Sequence, residues 1–384
     1  MSITILLSSA AYVLSDYLIT SEGNTAYNII KHLEKYDYEF HAISAYVRIK
    51  QPLPNLTTHQ TGTTQTTPAQ NAIRKYTQHT EFLTRSLITV KKLLRTQRIH
   101  IIHHMFPAVY NQTFSPLALT GGTNGKPFIF GPISAHITKH PTDEKLLSPL
   151  TTKLHQKTIT KTTQLITITR QVAKLYQNTQ KPITTIPLGV DTNQFKPTPK
   201  AYNSENPEIL YTGSLYPLKG VHHLIQAFSI VTKQQPNARL RIIGIGPQQN
   251  TLKQLAKALK LDTKTTFQNF IPHTQIAQHY QNCTIYCFPS LGEPFGKTII
   301  EAMSCAKPVI ATNQGGATEI IENNKTGILV PPANPKQLAQ KILYLLQTPE
   351  KMKQLGENAR KTAEKQYSWE TIAEKYHKLY QSLA

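Results

Sequence analysis

Phe288-Pro-Ser-Leu-Gly-Glu-Pro-Phe-Gly-Lys-Thr-Ile-Ile-Glu-Ala-Met-Ser-Cys-Ala-Lys-Pro-Val-Ile-Ala-Thr312 is the most informative stretch of this chain. An apolar run ends at Phe288, a Gly/Pro loop follows, and helix-period apolar residues resume after Gly296. The pattern predicts a strand at 285–288, a helix over 298–305 and a further strand at 308–311. Gly296 lets backbone N–H groups come close to a ligand, and the helix points its positive end at the same place, which makes an anion site. Glu293 falls in the loop and Glu301 a turn or more into the helix. At helical rise they are roughly 12 Å apart, too far to share one proton. Carboxylates accept hydrogen bonds from hydroxyls, so the two suit different ends of an elongated, hydroxyl-rich ligand. The plainer alternative is one Glu easing the helix dipole and one lying on the surface.

Working outward, the second half repeats one pattern. A strand is expected at 209–212, then a glycine turn, a helix over 220–231, a strand at 240–243 and Gly-x-Gly. In Tyr211-Thr-Gly-Ser-Leu-Tyr-Pro-Leu-Lys-Gly220, Gly213 brings backbone near a ligand and Lys219 offers a positive charge. An exposed lysine at a helix start is the alternative reading. Ile243-Gly-Ile-Gly-Pro247 is a weak signal alone, since glycine pairs are common in turns.

The first half starts the same way. We expect a strand at 3–7, a polar loop to Gly23, a helix over 25–35 and a strand at 39–44. Residues 51–70, poor in apolar side chains, are expected to form a mobile loop. From Ile73 to Leu94 an apolar stripe faces a basic one (Arg74, Lys75, Arg85, Lys91, Lys92, Arg95, Arg98). Such a helix either lies on an anionic membrane or packs its stripe on its own sheet. Strands follow at 99–105, ending in His103-His104, at 127–130, before Gly131-Pro132, and at 165–169. Turn-rich Pro187–Asp191 marks a hinge. The fold class expected is α/β, two doubly wound halves facing a cleft, with ligands at the carboxyl ends of the strands.

Size agrees. A chain of 384 residues, 39% of them apolar, suits two domains. No apolar run approaches the roughly 20 residues that span a bilayer, and the start reads as a buried strand rather than a signal peptide. Cys283, Cys287 and Cys305 give neither an even framework nor C-x-x-C pairs, and read as buried thiols in a reducing cytoplasm. The formal charge is +21. Residues 41–180 hold 17 Lys/Arg against 3 Asp/Glu, a field that draws in polyanions, anionic lipid or phosphorylated substrates. A solvated face of a generally basic protein explains it equally well. No nucleic-acid-binding motif occurs, so no nucleic-acid partner is expected.

The Phe288–Thr312 segment resembles the E-x7-E signature of retaining glycosyltransferases with the GT-B fold, in the large family 4. The similarity spans about residues 187–370 and includes Gly315-Gly316, Glu319-Ile-Ile, Gly327-Ile-Leu-Val-Pro and Tyr367-Ser-Trp369. It implies an N-terminal Rossmann-like acceptor domain (1–188), a donor-binding Rossmann-like domain (189–365) and a terminal helix (366–384) packing back on the first. Glu301 would hold the ribose hydroxyls of a nucleoside diphosphate sugar. Glu293 would bind hydroxyls of the transferred sugar, with amides around Phe295, Gly296, Lys297 and Thr298 completing the contacts. Gly213 would bring backbone near the pyrophosphate, Gly244 would sit beneath the nucleotide, Phe270 and Ile271 beside the base, and Lys219 at the leaving diphosphate. The family commonly has an arginine where this chain has Ser214, which weakens the expected clamp. Glu22-Gly23-Asn24 resembles a loop that approaches the donor phosphates. His103, His104 and His136 are candidates for acceptor or sugar contact. Many members carry a histidine where this chain has Gly131-Pro132, as a subset does.

The expected activity is a retaining, hexosyltransferase-like transfer from a nucleotide-sugar co-substrate to a glycan or lipid-linked acceptor, in envelope polysaccharide or glycolipid synthesis. No cofactor is expected and, with no Asp-x-Asp pair, no metal. The expected location is cytoplasmic, peripheral on an anionic inner membrane face. Rival readings are an epimerase or phosphorylase of the same fold, or an inactive basic homologue that binds lipid or nucleic acid.

Overall fold

The computed structural model describes residues 2–17, 21–62, 72–108, 110, 113–135, 148–198, 202 and 204–384. The chain divides into two units. Of the described residues, the first holds those within 2–135, 148–187 and 369–384, and the second those within 188–368.

The first unit is built on seven strands: β1 (Ile3–Ser15), β2 (Tyr38–Arg48), β3 (Leu56–Gln60), β4 (Ile101–His104), β5 (Phe128–Ile133), β6 (Gln164–Thr167) and β7 (Ile183–Thr185). All pair parallel, in the order β3-β2-β1-β4-β5-β6-β7. Parallel sheets are covered on both faces, so the central strands are apolar throughout. Ile5, Leu7, Ile101 and Ile129 are fully buried, with Ile29 and Ile30 of the helix Ser21–His32 and Trp369, Tyr376 and Tyr380 of the helix Trp369–Leu383 in the same core.

Two expectations for this unit are corrected, and one open alternative is decided. The polar loop after residue 7 is strand: β1 runs on to Ser15, with a register shift against β2 between Leu7 and Ala11. Residues 51–70 are not one loop, because Leu-Thr-Thr-His-Gln at 56–60 forms β3; the rest of that stretch from 63 lies outside the described residues. A strand at the sheet edge can be polar when β-branched residues fit its pleat. Lastly, the basic amphipathic helix, Ala72–Thr96, packs its stripe inward: Phe82, Val90 and Leu93 are buried, and Phe82 meets Tyr12 of β1 edge-on at 5.6 Å. Of the two readings offered for that helix, the stripe on its own sheet is the one observed.

The second unit carries β8 (Glu208–Thr212), β9 (Arg239–Ile243), β10 (Thr265–Gln268), β11 (Ile285–Phe288), β12 (Val309–Thr312) and β13 (Ile328–Val330). They are parallel in the order β10-β9-β8-β11-β12-β13. That is the doubly wound order with its switch point between β8 and β11, where chain connections leave to opposite sides and open a crevice at the strands' carboxyl ends. Val221, Leu224, Ile225 and Phe228 of the helix Val221–Gln234 are buried against Ile209, Ile242 and Ile310. Cys283, Cys287 and Cys305 are buried free thiols, and burial pushes Cys287 and Cys305 up. Among the described residues no helix is long and apolar enough to cross a membrane.

Candidate active site

The loops leaving β8 and β11 are tied together at the switch point of the second unit. The Leu291 amide donates to the Leu218 carbonyl at 2.7 Å, and the Ser290 hydroxyl reaches the same oxygen at 3.3 Å. Gly220 is obligatory there: its φ is +64°, and a Cβ would stand 2.1 Å from the Pro289 carbonyl oxygen. The one-turn helix Pro217–Lys219 is thereby pressed on the β11 loop. Lys219 Nζ lies 2.6 Å from Glu293 Oε2, the two side chains 21% and 25% exposed. The sequence predicted separate roles for these residues; the structure makes them one ion pair.

The Glu293 loop is clamped from behind by Gly315 and Gly316. The Gly316 amide donates to the Glu293 carbonyl at 2.9 Å. A Cβ on Gly315 would sit 2.3 Å from that carbonyl oxygen, and one on Gly316 2.3 Å from Phe295 Cα. Phe295 is buried and meets Tyr367 edge-on. Gly296, at φ +109°, then opens the helix Lys297–Ser304. Its first amides have no intrahelical acceptor, which leaves Lys297 and Thr298 at a positive helix end.

Glu301, on that helix, is 5% exposed. His273 Nε2 lies 3.2 Å from its Oε1, and the Tyr280 hydroxyl donates to its Oε2 at 2.8 Å. Burial would raise this carboxyl. The hydrogen bond and charge of His273, with Lys297 and Tyr280, outweigh burial and hold it below the ordinary range. Glu301 is thus a buried, charged acceptor. Burial pulls the ammonium of Lys297 down, and the Glu301 charge opposes that. His273 and Tyr280 were missed in the sequence, because neither belongs to a local motif with Glu301.

The turns after β8 and β9 touch. The Gly213 amide donates to the Ile243 carbonyl at 3.0 Å, and a Cβ on Gly244 would stand 1.8 Å from the Gly213 carbonyl oxygen. Ser214 is fixed by its carbonyl, which accepts from the Tyr211 hydroxyl at 2.9 Å. Beyond the turns, Ile245 and Phe270 expose 54% and 61% of their surface, whereas Ile271 is buried at 8%. Ile245 and Phe270 follow the neighbouring strands β9 and β10. Among the described residues no cluster of three or more His, Cys, Asp or Glu is suited to a metal.

Candidates of the first unit fare differently. Gly23 is in the first turn of the helix Ser21–His32, not in a loop. His103 is wholly buried: Nε2 lies 2.6 Å from the Gly131 carbonyl and Nδ1 2.8 Å from the Tyr380 hydroxyl. Both ring nitrogens are used, and burial lowers its pKa to about 3. This is a structural histidine, and its assignment to acceptor or sugar contact is corrected accordingly. His104 is buried too, stacked on Phe130 at 5.2 Å with Nε2 3.2 Å from the Pro107 carbonyl. His136 lies outside the described residues. A Cβ at Gly131 would be 2.1 Å from the Ile166 carbonyl oxygen, so no histidine fits at that position.

Comparison with known proteins supplies the remaining evidence. Residues 193–362 match the family model described as glycosyl transferases group 1. An uncharacterized glycosyltransferase of Haemophilus influenzae is 30% identical over 220 residues, 57% of this chain and 61% of that protein. A GDP-mannose-dependent alpha-(1-6)-phosphatidylinositol monomannoside mannosyltransferase of Mycobacterium tuberculosis is 29% identical over 205 residues, covering 50% of this chain and 53% of it. The matches thus span a little more than half the length of these relatives. Among solved structures, sucrose-phosphate synthase from Thermosynechococcus elongatus aligns over 100% of this chain and 99% of its own, with TM-score 0.77 at 20% identity. At that identity the likeness speaks for the fold, which is the GT-B fold.

Proposed function

We propose that this chain, whose residues 193–362 match the family model of glycosyl transferases group 1, moves a sugar from a nucleoside diphosphate sugar to an acceptor hydroxyl with retained anomeric configuration. The observation that carries this reading is the pairing of Lys219 with Glu293 at the mouth of a helix that also bears the charged, buried Glu301. Glu301 accepts from ribose hydroxyls, the exposed Phe270 lies beside the base, and Glu293 accepts from the hydroxyls of the transferred sugar.

The chemistry follows from where charge grows. As the bond from the anomeric carbon to the diphosphate breaks, negative charge builds on the departing oxygen. Lys219 and the amino end of Lys297–Ser304 stabilise that charge more than the ground state, which is what lowers the barrier. The sugar passes through an oxocarbenium-like state, and the departing phosphate takes the acceptor proton on the same face. In this reading Lys219 and the helix dipole carry that charge. Ser214 adds no charge, so donor affinity leans on these groups.

For the acceptor we propose a glycan or lipid-linked hydroxyl, in envelope polysaccharide or glycolipid synthesis, reached while the protein lies peripherally on an anionic inner membrane surface. The basic face of Ala72–Thr96 supports this through charge, since its apolar side is already used inside the unit.

The test is a thermal-shift panel of nucleotide sugars and free nucleoside diphosphates, repeated with Glu301→Ala. A ligand at about a hundred times its Kd stabilises the fold by about 2.7 kcal/mol. One base and sugar should raise the melting temperature of the wild type and leave the variant unmoved. If no nucleotide sugar or diphosphate shifts the wild type, the reading falls.

A further inference from the structure

Glu301 is not placed by its own helix alone. The neighbouring helix, His273–Asn282, supplies one donor to each carboxylate oxygen: His273 to Oε1 at 3.2 Å and Tyr280 to Oε2 at 2.8 Å. The protons can be followed further. The hydroxyl proton of Tyr280 goes to Glu301, so at the 2.6 Å contact between Thr212 Oγ1 and the Tyr280 oxygen the threonine must be the donor. Tyr286 in turn donates to the Thr212 carbonyl at 3.3 Å. The result is a buried, directed chain, Thr212 to Tyr280 to Glu301, that starts one residue before the Gly213 turn. Tyr280 is fully buried. His273 is held as well: its ring packs on Phe195 at 5.2 Å, and its carbonyl accepts from the Gln194 side chain.

A carboxylate has about four lone-pair sites, two on each oxygen. His273 and Tyr280 each use one, on different oxygens, so each oxygen keeps the capacity to accept a further hydrogen bond. That remainder matches the two hydroxyls of a vicinal diol. We infer that His273 and Tyr280 are positioning residues which make Glu301 a bidentate diol acceptor, so that the site selects ribonucleotides against their 2′- and 3′-deoxy counterparts. The inference rests on the donor site proposed above. Without Tyr280 the carboxylate can rotate and lose its paired orientation, and without His273 one oxygen can swing out. Either change spares contacts to base and diphosphate, so only the advantage of the intact diol should suffer.

The experiment measures binding of UDP, GDP and ADP, each with its 2′-deoxy and 3′-deoxy form, to the full chain and to three variants. For the base that binds, the wild type should prefer the ribo form by about tenfold to a hundredfold, the range expected for one hydrogen bond to a charged group. Tyr280→Phe and His273→Leu should reduce that ratio to about threefold or less, with deoxy affinity nearly unchanged. His273→Gln, which keeps an N–H donor, should recover most of it. A merely structural role would weaken ribo and deoxy ligands together and keep the ratio, and that result overturns the inference. So does a wild type that binds both forms alike. His273, with a side chain 16% exposed, is the variant to rely on if loss of the buried Tyr280 hydroxyl impairs folding. Failure of every diphosphate to bind the wild type sinks the donor site itself, a different outcome from binding without discrimination.

Discussion

Gly316→Ala isolates the clamp behind Glu293 from ordinary backbone strain. Gly316 has φ −61° and ψ −23°, which alanine adopts freely. The obstacle is steric: the new Cβ would lie 2.3 Å from Phe295 Cα and from its carbonyl oxygen, where ordinary contact begins at 3.4 Å. The loop must therefore retreat by about 1 Å, the difference between those distances. It cannot do so freely, because Phe295 is buried against Tyr367 and the Glu293 carbonyl is bonded to the Gly316 amide. Overpacking of this kind costs about 1–3 kcal/mol of stability, and a 1 Å displacement of a catalytic group costs about a hundredfold in rate. The assay is release of nucleoside diphosphate from the donor identified by thermal shift, with acceptor present, at a temperature where the variant is folded. Gly125→Ala is the control: its φ of +72° is strained for alanine, yet nothing lies within 4 Å of the added Cβ. It should lose about 1 kcal/mol of stability and keep its turnover. A Gly316→Ala protein turning over within threefold of wild type, or a control equally slow, would refute the idea that the glycine pair positions Glu293.

Three further outcomes are expected. Lys219→Met and Glu293→Gln should each slow transfer by about a hundredfold, and the double variant should be much less than the product of the two, since the residues act as one pair; strictly multiplicative losses would show them independent. His103 has its folded pKa depressed to about 3 against about 6.5 unfolded. Its contribution is therefore complete above pH 6.5 and is lost, at about 1.4 kcal/mol per pH unit, as pH falls from there towards 3; denaturation of wild type and His103→Gln between pH 7 and 4.5 should show the steeper acid loss in the wild type, and equal slopes would remove His103 from the account. Replacing the exposed Lys91, Lys92 and Arg95 by Gln should weaken sedimentation with phosphatidylserine vesicles by about a hundredfold, at about 1 kcal/mol per basic residue, with salt producing the same loss in the wild type; indifference to anionic lipid would remove the proposed membrane contact.

How far the sequence could be read follows from the range of the interactions. The segment from Phe288 to Thr312 was legible because its contents are local: a fully apolar strand, a glycine at positive φ and a helix start all declare themselves within a few residues. Beyond such segments the signal failed in physical ways. Ser8, Ser9, Ala10 and Ala11 are too small and polar to look like a strand interior, yet β1 runs through them. Edge strand β3 buries too little to show alternation. His103 looked available, at a strand end near a switch point, because its partner Tyr380 lies 277 residues away. The same blindness hid His273 and Tyr280, which are 28 and 21 residues from Glu301 and meet it only through helix packing.

The Lys219–Glu293 pair also constrains how a donor could enter. Before any ligand arrives, the ammonium already has a carboxylate at 2.6 Å, so a diphosphate does not meet an unspent positive charge there. On the proposed function, binding exchanges partners: the phosphate takes the lysine, and Glu293 turns its freed oxygen to the sugar hydroxyls. A free diphosphate supplies the first half of that exchange without the second, and leaves Glu293 facing the anion unpaired. The intact nucleotide sugar supplies both halves. Its sugar should therefore add affinity in the wild type, and Glu293→Gln should narrow the gap between nucleotide sugar and free diphosphate, chiefly by tightening the diphosphate. Titration of both ligands against both proteins decides this, and a diphosphate that binds Glu293→Gln more weakly than wild type would mean that the carboxylate does not hold the lysine back.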